Sequence, residues 1–189
     1  MAGKLDGKKV AILATDGYEQ SELTVPKQAL ERAGATVEVV APHGGSIQGW
    51  KHYDKGDSVK VARTLEDARA DDYDALMLPG GVANPDQLRI QPKAVEFARA
   101  FFAASKPVAA ICHGPWLLVE AGVAKGRKVT SWPSLKTDLT NAGADWSDQP
   151  VVTDKGLVTS RNPGDLDAFC AKMIEEFAEG RHERKGAAE

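Results

Sequence analysis

Cys112 and His113 stand side by side in the stretch Lys106 to Trp116, and their setting suggests nucleophile chemistry. Val108 to Ile111 is an apolar run of the length of a fully buried strand. Gly114 and Pro115 stop it, and Trp116 to Glu120 reads as the first turns of a helix. Cys112 then falls on a sharp strand-to-helix turn, and the small residues Ala110 and Gly114 leave the clearance that a tight elbow needs. Such an elbow lifts a nucleophile to the top of a sheet, here a thiol in place of a serine hydroxyl. The positive end of the following helix favours the thiolate. Free N–H groups at the helix start suit a developing oxyanion. The alternative is a structural thiol ending a core strand; the adjacent histidine, the glycine and the helix start favour the chemical reading.

Other candidates for the same chemistry are carboxyls and glycines. Glu19 and Glu22 lie three apart at the start of an expected helix. Complementing the helix dipole is a sufficient account of both; the other account has one carboxyl exchanging a hydrogen bond with Cys112 and tuning its proton. Gly80-Gly81 is either a turn or a place where backbone approaches a substrate closely. His43, His52 and His182 fall in a β excursion and in the tail, which leaves His113 as the well-placed histidine. Neighbouring residues on a helix diverge, so contact between His113 and Cys112 does not follow from adjacency. The chain has no Cys-x-x-Cys or His-x-x-x-His spacing and no phosphate-binding glycine loop, so neither a metal nor a cofactor is expected.

The elements that would position these residues alternate between strand and helix. Val10 to Ala14 is a buried strand ending at Thr15-Asp16-Gly17; a helix follows with Ser21 as N-cap and Pro26 in its first turns, stopped by Gly34. Thr36 to Val40 is a second strand, parallel to the first by the handedness of β-α-β units. Pro42 to Ala62 interrupts the alternation with short β pieces, including Ser46 to Trp50 and Asp57 to Val61. Thr64 caps a short helix over Leu65 to Ala70, Tyr73 to Leu78 is a third buried strand, and Val82 to Gln91 is a polar loop. Pro92 opens a helix running through Ala104. After the cysteine elbow come a strand over Lys128 to Ser131, a helix over Leu135 to Ala142, a hairpin pairing Val151–Thr153 with Leu157–Thr159, and a last helix opened by Asp165. Cys170 recurs with Leu166, Phe169, Met173, Ile174 and Phe177 at helical spacing and is a core residue. The charge run from Gly180 is a solvated or frayed tail over 180–189. The expectation is one α/β domain over 1–189, with Asp16–Glu22, Gly80-Gly81, Cys112-His113 and Trp132-Pro133 meeting at the carboxyl ends of parallel strands.

Composition narrows the function classes. With 42% hydrophobic and 27% charged residues in 189, the chain is of ordinary globular type. A net charge of -3 argues against nucleic-acid and membrane-surface partners, and no apolar run reaches transmembrane length. The polar start carries no signal-peptide pattern, and two cysteines make no disulfide framework, so the expected location is the cytoplasm.

The segments Asp16 to Leu23, Leu78-Pro79-Gly80-Gly81, Ala110 to Pro115, Thr130-Ser131-Trp132-Pro133 and Asn141-Ala142-Gly143 resemble, in order and spacing, the ThiJ/PfpI superfamily in its PfpI (intracellular protease I) branch. The resemblance covers nearly the whole chain. It implies a flavodoxin-like three-layer sandwich with a mostly parallel sheet and a reactive elbow cysteine, here Cys112. The family's cysteine-contacting glutamate matches Glu22, and its oxyanion site matches the amides of Gly81 and His113. In PfpI-type proteins a Cys-His-Glu triad closes across a subunit interface, which implies a homodimer or larger homo-oligomer. The matching stretch here, Ala83-Asn84-Pro85-Asp86, is one residue longer and carries Asp86 where the family has glutamate. Trp132 stands where members often carry tyrosine. The resemblance implies a stress-protective thiol hydrolase acting on glyoxal or methylglyoxal adducts of proteins and nucleotides. It also admits a cysteine peptidase with a triad shared between subunits, or an oxidative-stress sensor or chaperone using an oxidisable thiol. A class I glutamine amidotransferase, which shares the architecture, would need a later His-x-Glu that this chain lacks.

Overall fold

The structure, a computed structural model, describes residues 3–182. In chain order the elements are β1 (Lys9–Leu13), β2 (Tyr18–Glu19), α1 (Gln20–Arg32), β3 (Thr36–Ala41), β4 (Ser46–Lys51), β5 (Asp54–Lys60), β6 (Arg63–Thr64), β7 (Ala75–Leu78), α2 (Ala83–Arg89) and α3 (Pro92–Ala103). They continue with β8 (Val108–Ile111), α4 (Trp116–Glu120), β9 (Lys128–Val129), α5 (Lys136–Asn141), β10 (Asp145–Trp146), β11 (Val151–Asp154), β12 (Leu157–Ser160) and α6 (Leu166–Glu179).

Seven strands form the central sheet in the order β11-β12-β8-β7-β1-β3-β6. Every pairing in it is parallel except that of β11 with β12. The strands read as unbroken apolar runs because both faces are covered. Val10, Ile12, Ala75, Met77, Ala109 and Ile111 pack on one side with α1 and α6. Ala11, Leu13, Leu76, Leu78, Val108 and Ala110 pack on the other with α3 and α4. The second layer is led by Phe97 and Phe101, which meet edge to face at 5.3 Å, with Tyr73 on Phe97 at 6.1 Å. Phe101 and Phe169, one in each helical layer, are fully buried; each contributes roughly 1.5–3 kcal/mol by leaving water. These layers make the flavodoxin-like sandwich that the resemblance implied.

The chain leaves β1 towards β3 and β6, then returns to build β7, β8 and β12 on the other side of β1. Open sheets place ligand sites where the strand order reverses in this way. The β excursion is a three-stranded sheet, β2-β4-β5, beside that crevice, with β4 and β5 antiparallel.

Several boundaries differ from the sequence expectation. Ser21 is not the cap of α1; the helix starts at Gln20, and the Ser21 hydroxyl instead donates to Glu19. No helix spans Leu65 to Ala70: Thr64 closes a single turn, its carbonyl accepting from the Asp67 and Ala68 amides, and a short 3-10 turn follows at Ala70–Asp72. The polar loop expected at Val82 to Gln91 contains the helix α2, because Asn84, Pro85 and Leu88 are buried inward anchors that alternate with exposed polar residues. The strand expected over Lys128 to Ser131 pairs only at Lys128–Val129, in a separate two-stranded sheet with β10. In the supposed tail, residues 180–182 are ordered against the body, the His182 amide donating to the Ser105 carbonyl at 3.1 Å. The rest of that charge run, 183–189, lies outside the described residues.

Candidate active site

The end of β8 carries the central feature. Cys112 has φ 62°, the left-handed conformation that residues with a Cβ rarely take. Holding such a residue there costs about 1–3 kcal/mol and requires the surroundings to fix it. Here the Cys112 amide donates to the Ser160 carbonyl at 3.0 Å, and its carbonyl accepts from the Trp132 amide at 2.9 Å. The amide of Gly114 closes the turn onto the Ile111 carbonyl at 2.9 Å. The thiol is thereby aimed out of the sheet rather than along it.

Helix α4 contributes less than the sequence suggested. It begins four residues after Cys112 and is five residues long, and its first amides already donate to the carbonyls of His113, Gly114 and Pro115. The amides that act on the sulfur are those of His113 and Gly81, and both draw the thiol pKa down. The pair that the resemblance implied as oxyanion donors is therefore the pair already turned to the sulfur.

Glu22, in the first turn of α1, is fully buried. Its Oε2 accepts from the Gly80 amide at 2.9 Å, and its Oε1 has no hydrogen-bond partner among the described residues. Burial pushes the Glu22 carboxyl up to about 8, opposed by the Cys112 thiol and helped by Glu19. Burial also pushes the Cys112 thiol up, and the Glu22 carboxyl adds to it. The low thiol pKa expected from the elbow alone is thus corrected: two acids share one buried pocket, and the first proton leaves the pair near pH 8.

Glycine makes this approach possible. A Cβ on Gly80 would collide with Glu22 Oε2 and lie 2.7 Å from the Cys112 Cβ. Gly81 has φ +77°, and a Cβ there would stand 2.5 Å from the Gly17 carbonyl and 2.6 Å from the Glu19 amide.

His113 does touch Cys112: Nδ1 lies 3.1 Å from Sγ. The ring stacks on Trp132 at 5.8 Å with 23° between planes, and meets Trp116 edge-on at 5.2 Å. Its Nε2 is 3.5 Å from the Ser134 hydroxyl. Burial pulls the His113 pKa down to about 4, so the imidazole is neutral at pH 7. Asp86 lies exposed on α2, and among the described residues no hydrogen bond or ion pair joins it to His113.

The cleft above these groups has a volume of about 240 Å³. Glu22, Gly81, Cys112 and His113 line it with Trp132, Val82 and Pro163. The β excursion adds Glu19, His52 and Tyr53. His52 is therefore a second histidine at the site, against the sequence reading; its amide donates to Glu19 Oε2 at 3.0 Å and its ring stands in solvent.

Sequence reasoning missed Asn84 altogether. It is fully buried, accepts from the Thr15 amide at 2.8 Å, and donates to the carbonyls of Pro79 at 3.0 Å and Gly80 at 3.1 Å. One side chain thus ties the end of β1 to the end of β7 and fixes the Gly80 carbonyl. Its signal was an amide residue three positions after Gly81 and directly before Pro85.

Comparisons with known proteins agree with this fold. A model of the DJ-1/PfpI family matches residues 8–176. Deglycase PfpI of Pyrococcus furiosus is 45% identical over 166 residues, which span 88% of this chain and 97% of that protein. Protein/nucleic acid deglycase 2 of Escherichia coli is 44% identical over 164 residues, 86% of this chain and 93% of that one. The crystal structure of Drosophila melanogaster DJ-1beta superimposes with a TM-score of 0.82 at 29% identity, covering 90% of each chain. The chain belongs to the DJ-1/PfpI family.

Proposed function

We propose that this protein is a thiol hydrolase of the deglycase type, removing glyoxal- or methylglyoxal-derived groups from proteins and nucleotides. The carrying observation is the left-handed Cys112 on the cleft floor, coupled to a buried Glu22. The names of the two deglycase relatives support the substrate class.

Two groups near the sulfur can handle its proton, and their basicity distinguishes them. His113, with a pKa near 4, is a weak base at neutral pH. Glu22, near 8, is far better matched to moving a proton at physiological pH. With one proton on the pair, Glu22 takes it from the thiol as the sulfur adds to the carbonyl carbon. For an aminocarbinol adduct, the C–N bond breaks as the carbinol O–H becomes C=O, its proton going to the departing amine. As the sulfur adds to that carbonyl carbon, the C=O electron pair moves onto oxygen at the amides of Gly81 and His113 and takes the proton back from Glu22. Transfer of the C–H proton to the neighbouring carbonyl-bearing carbon gives a thioester that water cleaves to the free thiol and a hydroxy acid. Trp132, Tyr53 and Val82 wall the approach.

Turnover of methylglyoxal adducts of arginine and guanosine by wild type and Cys112→Ser tests this. The expected result is activity that rises with pH towards about 8 and disappears in the variant. No turnover above a buffer blank, together with selective peroxide oxidation of Cys112, would support a redox sensor instead.

A further inference from the structure

The cleft over Cys112 carries a charge that the chemistry at the sulfur does not use. Glu19, the last residue of β2, lines it with a side chain 13% exposed. Its backbone is fixed from two sides. Glu19 pairs with Trp50 of β4, and its amide donates to the Gly80 carbonyl at 3.3 Å, in the loop whose Gly80 amide binds Glu22. The carboxylate is fixed as well: Oε2 accepts from the His52 amide at 3.0 Å and Oε1 from the Ser21 hydroxyl at 3.4 Å. A carboxylate oxygen can accept more than one hydrogen bond, so both keep room for a further donor.

Three observations say what this carboxylate is suited to meet. The first is the counter-ion. Among the described residues no lysine or arginine lies within 4.0 Å of Glu19, and the one basic group at that distance is the exposed His52 ring. The second is the lining as a whole, which holds the carboxyls of Glu19 and Glu22 and the imidazoles of His52 and His113, but neither lysine nor arginine. A phosphate entering this cleft would meet acid and no fixed cation. The third is aromatic surface. Trp132 and Tyr53 are both exposed and both stand on the lining. A guanidinium stacks on aromatic faces while its N–H fork binds a carboxylate. The charge of Glu19 also reaches the reaction centre, since it is among the causes that raise the Glu22 carboxyl.

We propose that Glu19 is a specificity-determining residue of the cleft: it receives the guanidinium of an arginine-borne adduct and disfavours adducts on phosphate-bearing nucleotides. An aminocarbinol on a guanidinium nitrogen leaves that group cationic, so its charge is available for recognition before the C–N bond breaks. Guanosine offers no cation, and guanosine monophosphate brings the opposite charge. Glu19 binds the part of the substrate that departs, while Glu22 handles the proton at the sulfur. On the deglycase reading of the cleft, on which this role rests, the preferred substrates are thereby narrowed to protein-borne adducts.

The test measures kcat/KM for the methylglyoxal adducts of Nα-acetylarginine amide, guanosine and guanosine monophosphate, with wild type and Glu19→Gln. Glutamine keeps an acceptor for the His52 amide and removes the charge. Wild type should favour the arginine adduct over that of the monophosphate by about a hundredfold, with guanosine between them. Glu19→Gln should lower kcat/KM for the arginine adduct about tenfold, mainly through a higher KM, and raise that for the monophosphate about threefold. An equal fall on all three, or a fall in kcat alone, would overturn the role and leave Glu19 as a support of the β4–β5 hairpin. A second measurement needs no turnover. In Cys170→Ser the chain keeps Cys112 as its one thiol. A cationic methanethiosulfonate should modify it about tenfold faster than an anionic one, and adding Glu19→Gln should cut that ratio at least threefold. No turnover of any adduct, with the ratio as expected, would refute the deglycase reading while sustaining Glu19 as the group that selects for cations. A ratio unaltered by Glu19→Gln would overturn that selection whatever the turnover.

Discussion

Cys112 and Cys170 lie on the same side of the sheet, in one apolar cluster, with 6% and 8% of their surfaces exposed. Cys170 sits midway along α6 in ordinary helical backbone, and burial pushes its thiol up to about 11. Cys112 ends β8 at φ 62°, with His113 Nδ1 at 3.1 Å, Glu22 coupled to it and a cleft above it. Burial thus does not separate the two thiols. The difference lies in backbone conformation and in which polar atoms the surroundings aim at the sulfur. One thiol packs a helix against a sheet; the other is held strained beneath an opening.

The largest expected effect tests that contrast directly. Cys112→Ser should lower turnover by on the order of 10³ or more, since a serine hydroxyl in this pocket has no base strong enough to ionise it. Cys170→Ser should leave turnover within about twofold and cost about 1–3 kcal/mol of stability, the price of a hydroxyl in an apolar setting. Steady-state kinetics and urea unfolding of the two variants measure both. Comparable losses of turnover would erase the distinction.

Next comes the architecture that separates the two thiols. Gly80→Ala should reduce activity by about a hundredfold, because the new methyl collides with Glu22 and presses on Cys112. The same change would not touch Cys170, so its alkylation rate after partial unfolding should stay at the wild-type value. Asn84→Ala should destabilise by about 3 kcal/mol, as it leaves the Thr15 amide and the carbonyls of Pro79 and Gly80 without their shared partner.

A third comparison concerns pH and stability. Glu22 holds its proton more tightly when folded, to about 8 against 4.5. Its contribution is therefore complete below about 4.5 and is lost as pH rises to 8, a change on the order of 5 kcal/mol. His113 runs the other way, with about 4 folded against 6.5. Its contribution is complete above 6.5 and is lost as pH falls towards 4. The two slopes oppose each other between 4.5 and 6.5, so Glu22 dominates on the alkaline side. Glu22→Gln should flatten the decline in unfolding free energy between pH 6.5 and 8, and Glu19→Gln should not. A decline that persists in Glu22→Gln would mean that the carboxyl is ionised in the folded protein at neutral pH.

How far the sequence reveals these features depends on the range over which they act. The parallel layers were legible because buried strands, Pro92 at a helix start and glycines at helix ends are local signals. The elbow was legible for the same reason: Ala110, Cys112, His113 and Gly114 are consecutive or nearly so. What escaped depends on contacts distant in sequence. Asn84 acts by reaching Thr15, 69 residues away, and the seven-residue α2 around it has too short an apolar pattern to register. The β4–β5 hairpin places His52 and Tyr53 over a cleft whose floor comes from β8. The direction of the Cys112 pKa follows from desolvation and from the Glu22 carboxyl, neither of which adjacency in sequence reveals.

The smallest expected effect separates what one chain does from what two would do. Within the described residues, the His113 ring is placed by Trp132, Trp116 and the Ser134 hydroxyl, with no carboxylate on it. Its depressed pKa has burial as its cause and carries no contribution from an acid. If Cys112 and Glu22 are the working pair, Asp86→Asn should change turnover by less than about threefold, because Asp86 is an exposed residue on α2. Dilution should then leave specific activity constant. A carboxylate supplied to His113 by a second copy would behave differently in both respects. It would raise the imidazole pKa, so Asp86→Asn would cut turnover about tenfold or more, and specific activity would fall on dilution below the dimer dissociation constant. Titrating the His113 ring by NMR in wild type and Asp86→Asn at high and low protein concentration distinguishes the two. A midpoint near 4 in all samples confines the chemistry to one chain, whereas a midpoint above the ordinary histidine value, at high concentration and in wild type alone, places Asp86 of a neighbouring copy on the ring.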